Sequence, residues 1–67
     1  MDKVRAFLVC GDYVWVRRFG KILKRRFVGP LRADYFIAQD SLGETEIYHW
    51  NLVYGNAAED DDWEKTT

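Results

Sequence analysis

Six cations, Arg17, Arg18, Lys21, Lys24, Arg25 and Arg26, fall within ten consecutive positions of this 67-residue chain, and Arg32 follows shortly after. Cations crowded in this way repel one another unless something anionic offsets them. Lysine and arginine that neutralise phosphates release condensed counterions, and exposed aromatic faces stack on bases or sugars. Trp15, Phe19 and Tyr35 lie near the cluster in sequence or across a sheet and are the candidate aromatic contacts. The pattern points to nucleic acid, DNA or RNA, held through phosphates. No groove-reading element is recognisable, so the expected binding has little sequence preference.

Catalytic chemistry has a thin inventory by comparison. The chain holds one His, one Cys and one Ser, and neither spacing nor context joins Ser41, His49 and an Asp into a triad. His49, among aromatic neighbours in an alternating stretch, reads as a structural or surface residue rather than a general base. Cys10, after Phe7-Leu8-Val9, reads as a small apolar side chain rather than a nucleophile. It has no Cys-x-x-Cys companion, so no disulfide scaffold or zinc finger is available, and a reducing intracellular compartment fits. The acids from Glu59 to Glu64 lack the alternating ligands and glycine of a calcium loop. The five glycines are dispersed and form no phosphate cradle. The expectation is a non-enzyme with no cofactor and no metal.

These groups must be positioned by a small fold. At 7.9 kDa the chain has room for one domain and a tail. Eleven aromatic rings and 48% hydrophobic residues favour a folded chain over a disordered one. The longest apolar run, Ala6 to Cys10, is too short to cross a membrane. The net charge of −1 conceals a division: residues 1–32 carry nine basic groups against two acids, and residues 33–67 carry nine acids against Lys65 alone. Such asymmetry hints at an anionic partner on one side and an acidic tail on the other.

Tyr13-Val14-Trp15-Val16 followed by two arginines is a strand pattern, with Gly11-Asp12 as the turn before it. Alternation puts Tyr13, Trp15 and Arg17 on one face, and Val14, Val16 and Arg18 on the other, with the valines toward the core. Phe27 to Gln39 is extended but interrupted by Gly29-Pro30, which demands an edge, a bulge or a bend. Asp40-Ser41-Leu42-Gly43 is a tight turn, and Glu44 to Trp50 alternates again before Asn51 to Tyr54. Phe19, Ile22, Leu23 and Phe27 also show the spacing of a basic amphipathic helix. Gly20 inside the stretch and strand patterns on both sides favour a basic hairpin loop instead. The resulting expectation is all-β, a small five-stranded antiparallel SH3-like barrel over residues 1–55 with a flexible acidic tail over 56–67.

Gly11-Asp12-Tyr13-Val14-Trp15-Val16-Arg17-Arg18, Arg26-Phe27-Val28-Gly29-Pro30-Leu31, Asp40-Ser41-Leu42-Gly43 and the closing Ile47 to Val53 resemble the C-terminal domain of retroviral and LTR-retrotransposon integrases. The match spans Gly11 to Tyr54, and its first two motifs are the most specific. The resemblance implies an SH3-like barrel that binds DNA non-specifically and helps assemble integrase multimers, with catalysis in a separate domain. It implies a nuclear setting and other integrase-type domains or subunits as partners, while exposed aromatic strands favour self-association. By position it assigns phosphate contacts to Arg17, Arg18, Lys21, Lys24, Arg25 and Arg26, and barrel-shaping roles to Trp15 and Pro30. The acidic tail departs from the family's basic or neutral one, which suggests competition with DNA for the basic face or docking on a basic partner.

Two other readings have distinct signatures. A free-standing small barrel, viral or otherwise, could regulate a protein through its basic face or its tail. A Tudor-like reader would gather Trp15, Tyr35, Tyr48 and Trp50 around one hollow to hold a methylated cation.

Overall fold

The computed structural model describes residues 8–65. Residues 1–7 and 66–67 lie outside it, and with them Lys3, Arg5, the start of the expected barrel and the end of the expected tail.

Six strands form one antiparallel sheet: β1 (Tyr13–Arg18), β2 (Lys21–Leu31), β3 (Tyr35–Gln39), β4 (Thr45–His49), β5 (Val53–Ala57) and β6 (Glu64–Lys65). Their order is β4-β3-β2-β1-β5, with β6 paired to β2. A 3-10 turn over Trp50–Leu52 joins β4 to β5. The all-β expectation holds, although the sheet has a sixth strand and does not close on itself.

β1 alternates as its sequence requires. Val14 and Val16 are fully buried while Arg17 is exposed. The expected basic loop shrinks to Phe19-Gly20, and the helical spacing beyond it is overridden. All six residues of β1 pair with Lys21–Arg26, which satisfies more backbone than three frayed helical turns would. Both residues of the turn have positive φ, 54° at Phe19 and 73° at Gly20, as the tight turns matched to strand twist require.

β2 is long because it serves two partners in succession. Its first half pairs β1 and its second half pairs β3, with an irregularity between Phe27 and Gly29 where the register shifts. Pro30 lies beyond that irregularity and past the end of the β1 ladder, the setting in which a strand tolerates proline. Asp40 closes the β3–β4 turn: its side-chain Oδ1 accepts the backbone N–H of Leu42 at 2.9 Å and of Glu44 at 3.0 Å, and Gly43 adopts φ 82°.

Val14, Val16, Phe27, Phe36, Ala38, Tyr48, Trp50 and Val53 form the core, with Leu8, Leu23 and Leu52 packed against it. Its centre is aromatic: the Phe36 ring lies 4.5 Å from Trp50 and 5.7 Å from Tyr48, centroid to centroid. Each such pair contributes roughly 0.5–1.5 kcal/mol beyond area burial, which matters in a chain this short. His49 fits its structural reading, since its Nδ1 accepts the N–H of Asn51 at 3.0 Å and caps the 3-10 turn. Cys10 does not fit its own: it is exposed in the turn held by reciprocal Val9–Asp12 hydrogen bonds.

The C-terminal segment is the main correction. Asn56 and Ala57 belong to β5, and the residues after them return to the sheet instead of trailing as a flexible tail. The Ala58 N–H donates to Asp61 Oδ2 at 2.8 Å to close a turn, and β6 then pairs Glu64 with Leu23 and Lys65 with Ile22. The first half of β2 has an edge that β3 leaves open, and an unpaired edge recruits a strand.

Candidate nucleic-acid interface

Strand alternation divides the cation cluster between two faces. Residues paired directly across β1 and β2 share a side, so Arg17, Lys24 and Arg26 lie with Tyr13, Trp15 and Ile22 on the outer face. Arg18, Lys21 and Arg25 lie on the side of the core valines. The six cations therefore form no single continuous surface.

Lys24 is the largest departure from expectation. Its side chain is 1% exposed, although it stands on the outer face, because the C-terminal segment covers it. Its Nζ donates to the carbonyl oxygens of Glu59 at 2.8 Å and Asp61 at 2.5 Å. The same ammonium lies 4.8 Å from the Tyr13 ring centroid and 4.6 Å from that of Trp63, and those two rings meet edge to face at 5.9 Å. The Lys24 backbone N–H donates to the Trp63 carbonyl at 2.8 Å. A buried ammonium needs such compensation, since its desolvation otherwise costs several kcal/mol, roughly, for the lone ion. Lys24 thus holds the C-terminal segment down and is not available to phosphate.

Arg25 is also committed internally. Its Nε donates to the Tyr48 hydroxyl at 2.8 Å, its Nη1 donates to the Lys24 carbonyl at 2.8 Å, and Glu46 lies 3.4 Å away. The Tyr48 hydroxyl in turn donates to Glu46. Burial, reinforced by the hydrogen bond to Glu46, raises the Tyr48 pKa above that of a free tyrosine, with Arg25 working in the opposite direction. Arg18 closes this cluster from the hairpin end: its guanidinium stands 5.0 Å from the Tyr48 ring centroid and 4.0 Å from Glu46.

The remaining cations are accessible. Arg17 and Lys21 are exposed on either side of the β1–β2 turn, with Lys21 Nζ 3.5 Å from Glu64. Arg26 is exposed at the far end of the ribbon, its Nη1 donating to Gln39 Oε1 at 3.4 Å. Arg32 is exposed in the β2–β3 turn at φ 60°. Four residue steps separate Arg17 from Arg26 along the ribbon, about 13 Å at ~3.3 Å per step, so they contact different parts of any ligand.

The three candidate aromatics also part company. Trp15 is half-buried on the outer face beneath the Lys65 ammonium, 5.5 Å from its ring centroid. Tyr35 packs edge to face on His49 at 4.9 Å. Phe19 stands at the tip of the β1–β2 turn, 88% exposed, with the Arg18 guanidinium 5.3 Å from its ring centroid. A bulky residue with positive φ costs about 1–2 kcal/mol relative to ordinary backbone, and asparagine or glycine would relax it. The rings of a methyl-cation cage do not converge: Tyr48 and Trp50 belong to the core, while Trp15 and Tyr35 stand on other parts of the sheet.

Trp63 was absent from every candidate set read from sequence, yet it completes the Lys24 enclosure. A single tryptophan inside an acidic run was the available clue, because a purely solvating segment has no use for a large apolar ring. Among the described residues no group of three or more His, Cys, Asp or Glu could hold a metal ion. No helix of those residues is long and apolar enough to cross a membrane. Comparison with family models, curated proteins and solved structures finds no match for this chain.

Proposed function

We propose that this chain is a non-catalytic, largely sequence-independent nucleic-acid-binding module that contacts its ligand with the end of the β1–β2 hairpin. The observation that carries the reading is the composition of that end: Arg17, Arg18, Phe19 and Lys21 occupy four of five consecutive positions around a two-residue turn. The acid partners of Arg18 and Lys21 are at 4.0 and 3.5 Å on the surface. Exposed pairs of that kind contribute ~0–1 kcal/mol, so a phosphate can replace the carboxylate at little cost. Arg26 and Arg32 extend the accessible charge toward the opposite end of β2. The strand order with a 3-10 turn before β5 supports the SH3-like reading, whereas the integrase-domain resemblance and association with like domains rest on the sequence motifs between Gly11 and Tyr54.

A short basic tip implies weak binding through few phosphates. With about three phosphates neutralised, the logarithm of affinity should fall against the logarithm of salt with a slope of roughly −2 to −3. Fluorescence anisotropy with a labelled oligonucleotide between about 20 and 200 mM salt measures it. Arg17→Ala should weaken binding and flatten the slope by about 0.7–0.9, the share of one phosphate. Undetectable binding to both DNA and RNA at the lowest salt overturns the proposal.

A further inference from the structure

The ligand class can be narrowed from the one residue at the hairpin end that neither the fold nor phosphate binding explains. Phe19 leaves 88% of its surface in water at a position that contributes nothing to the core. It does so with φ 54°, in a two-residue turn where asparagine is the relaxed choice before glycine, and Gly20 is already in place at φ 73°. The turn would therefore be more stable without it. An outlier that both strains the backbone and exposes an apolar ring asks for a use outside the fold.

The surroundings of the ring define that use. Phe19 is followed within two positions by Lys21 and preceded by Arg17 and Arg18, and the Arg18 guanidinium lies 5.3 Å from its centroid. Cations this close to an exposed ring would meet a negative backbone while the ring meets something flat and apolar. In duplex nucleic acid the bases are stacked on each other and offer no free face. In a single strand each base offers one, and stacking on an aromatic side chain tolerates any sequence. We infer that the ligand is single-stranded nucleic acid, with Phe19 stacking on one unpaired base while Arg17 and Lys21 hold the flanking phosphates. This rests on the nucleic-acid reading above and specifies the strand it takes.

The test exploits the opposite signs expected for folding and binding. Phe19→Asn should raise the melting temperature of the full chain, because it relaxes the turn. The same substitution should weaken binding of a labelled single-stranded dT oligonucleotide about five- to a hundredfold, the range for loss of one base–aromatic stack. Its salt slope should be unchanged, because no phosphate contact is removed. The unmodified chain should bind that oligonucleotide more tightly than a duplex of equal length at the same salt. Single-strand affinity unaffected by Phe19→Asn overturns the inference, as does equal affinity for duplex. In either case salt-dependent binding weakened by Arg17→Ala leaves the broader nucleic-acid reading standing. Absence of binding to either form overturns both. A Phe19-dependent partition onto neutral phosphatidylcholine vesicles, with no Phe19 effect on oligonucleotide, overturns the inference in favour of a membrane contact.

Discussion

Replacing Trp63 with alanine should unfold much of what distinguishes this structure from a barrel with a loose tail. The substitution removes the edge-to-face contact with Tyr13 at 5.9 Å, worth about 0.5–1.5 kcal/mol. It also removes one of the two ring faces against the Lys24 ammonium at 4.6 Å, worth about 0.5–2 kcal/mol once desolvated. Loss of the ring's own partial burial brings the total to roughly 2–4 kcal/mol. A 67-residue domain has about 3–10 kcal/mol of stability in all, so the loss is a large share. The melting temperature should fall by roughly 10–30 °C, at about 4–8 °C per kcal/mol for a domain of this size. Far-UV circular dichroism in urea measures the free energy without depending on tryptophan emission. Trp63→Phe, which keeps a ring, should lose less than half as much. Native-state hydrogen exchange adds a local reading, since the Lys24 amide donates to the Trp63 carbonyl and should lose protection before the Val14 and Val16 amides do. A loss under about 0.5 kcal/mol, the ordinary range of a surface substitution, together with unchanged Lys24 protection would refute the docked segment and restore the flexible tail.

The same enclosure predicts that bulk at position 24 matters more than charge. Lys24→Met should cost clearly less than Lys24→Ala, because the stem remains packed and relief of the ammonium's desolvation offsets the lost carbonyl and ring contacts, whereas Lys24→Ala should cost about 2 kcal/mol or more. Urea titration of the pair decides it, and equal losses would contradict the packing argument. Tyr48 gives a pH signature: its pKa is raised in the folded state, so the unfolded chain releases the phenolic proton first as pH climbs past about 10. The stabilisation present below that pH should then be lost as pH rises through the folded value. Tyr48→Phe should cost about 1–3 kcal/mol at neutral pH and remove that part of the alkaline decline. Gly20→Ala meets no atom within 4 Å but must take φ 73°, so its cost is confined to backbone strain of about 1–2 kcal/mol, seen as a lower melting temperature with the sheet intact.

How far the sequence disclosed this structure depends on whether local pattern or distant partner decides each residue. Val14 and Val16 were legible because alternation in β1 is strict and a one-residue slip would put both in water. The Asp40–Gly43 turn was legible because its chemistry is local: an aspartate that accepts two nearby N–H groups and a glycine at positive φ. Pro30 announced an irregularity in β2, and the register shifts just before it. The passage after Gly20 misled because Ile22 and Leu23 are both sheltered, Ile22 buried on the outer face and Leu23 packed against the core. Two adjacent apolar positions on opposite faces of a strand imitate the spacing of a helix. Nothing within ten residues of Ile22 indicates that a strand from the far end of the chain, β6, pairs beside it through Lys65.

The charge pattern fails in the same way and for a deeper reason. Crowded cations repel one another unless something anionic offsets them, and their density along the sequence points to an anionic ligand. The fold supplies the compensation itself. Arg18 and Arg25 converge on Glu46, Lys21 pairs with Glu64, and Lys24 donates to the carbonyls of Glu59 and Asp61, so four of the six clustered cations find partners in the acidic half of the sequence. Two halves of opposite charge in one small chain complement each other when the sheet brings them together, and such segregation records folding as readily as it records a ligand. Among the described residues the cations left without an ion pair or buried ammonium contact are Arg17, Arg26, Arg32 and Lys65; Arg17 and Arg26 stand four steps apart along the ribbon, and Lys65 lies over the Trp15 ring. A functional argument from charge must therefore rest on what remains exposed after the fold has used the rest, and here that directs attention to Arg17 and the exchangeable pairs beside Phe19, not to the density of arginine and lysine along the chain.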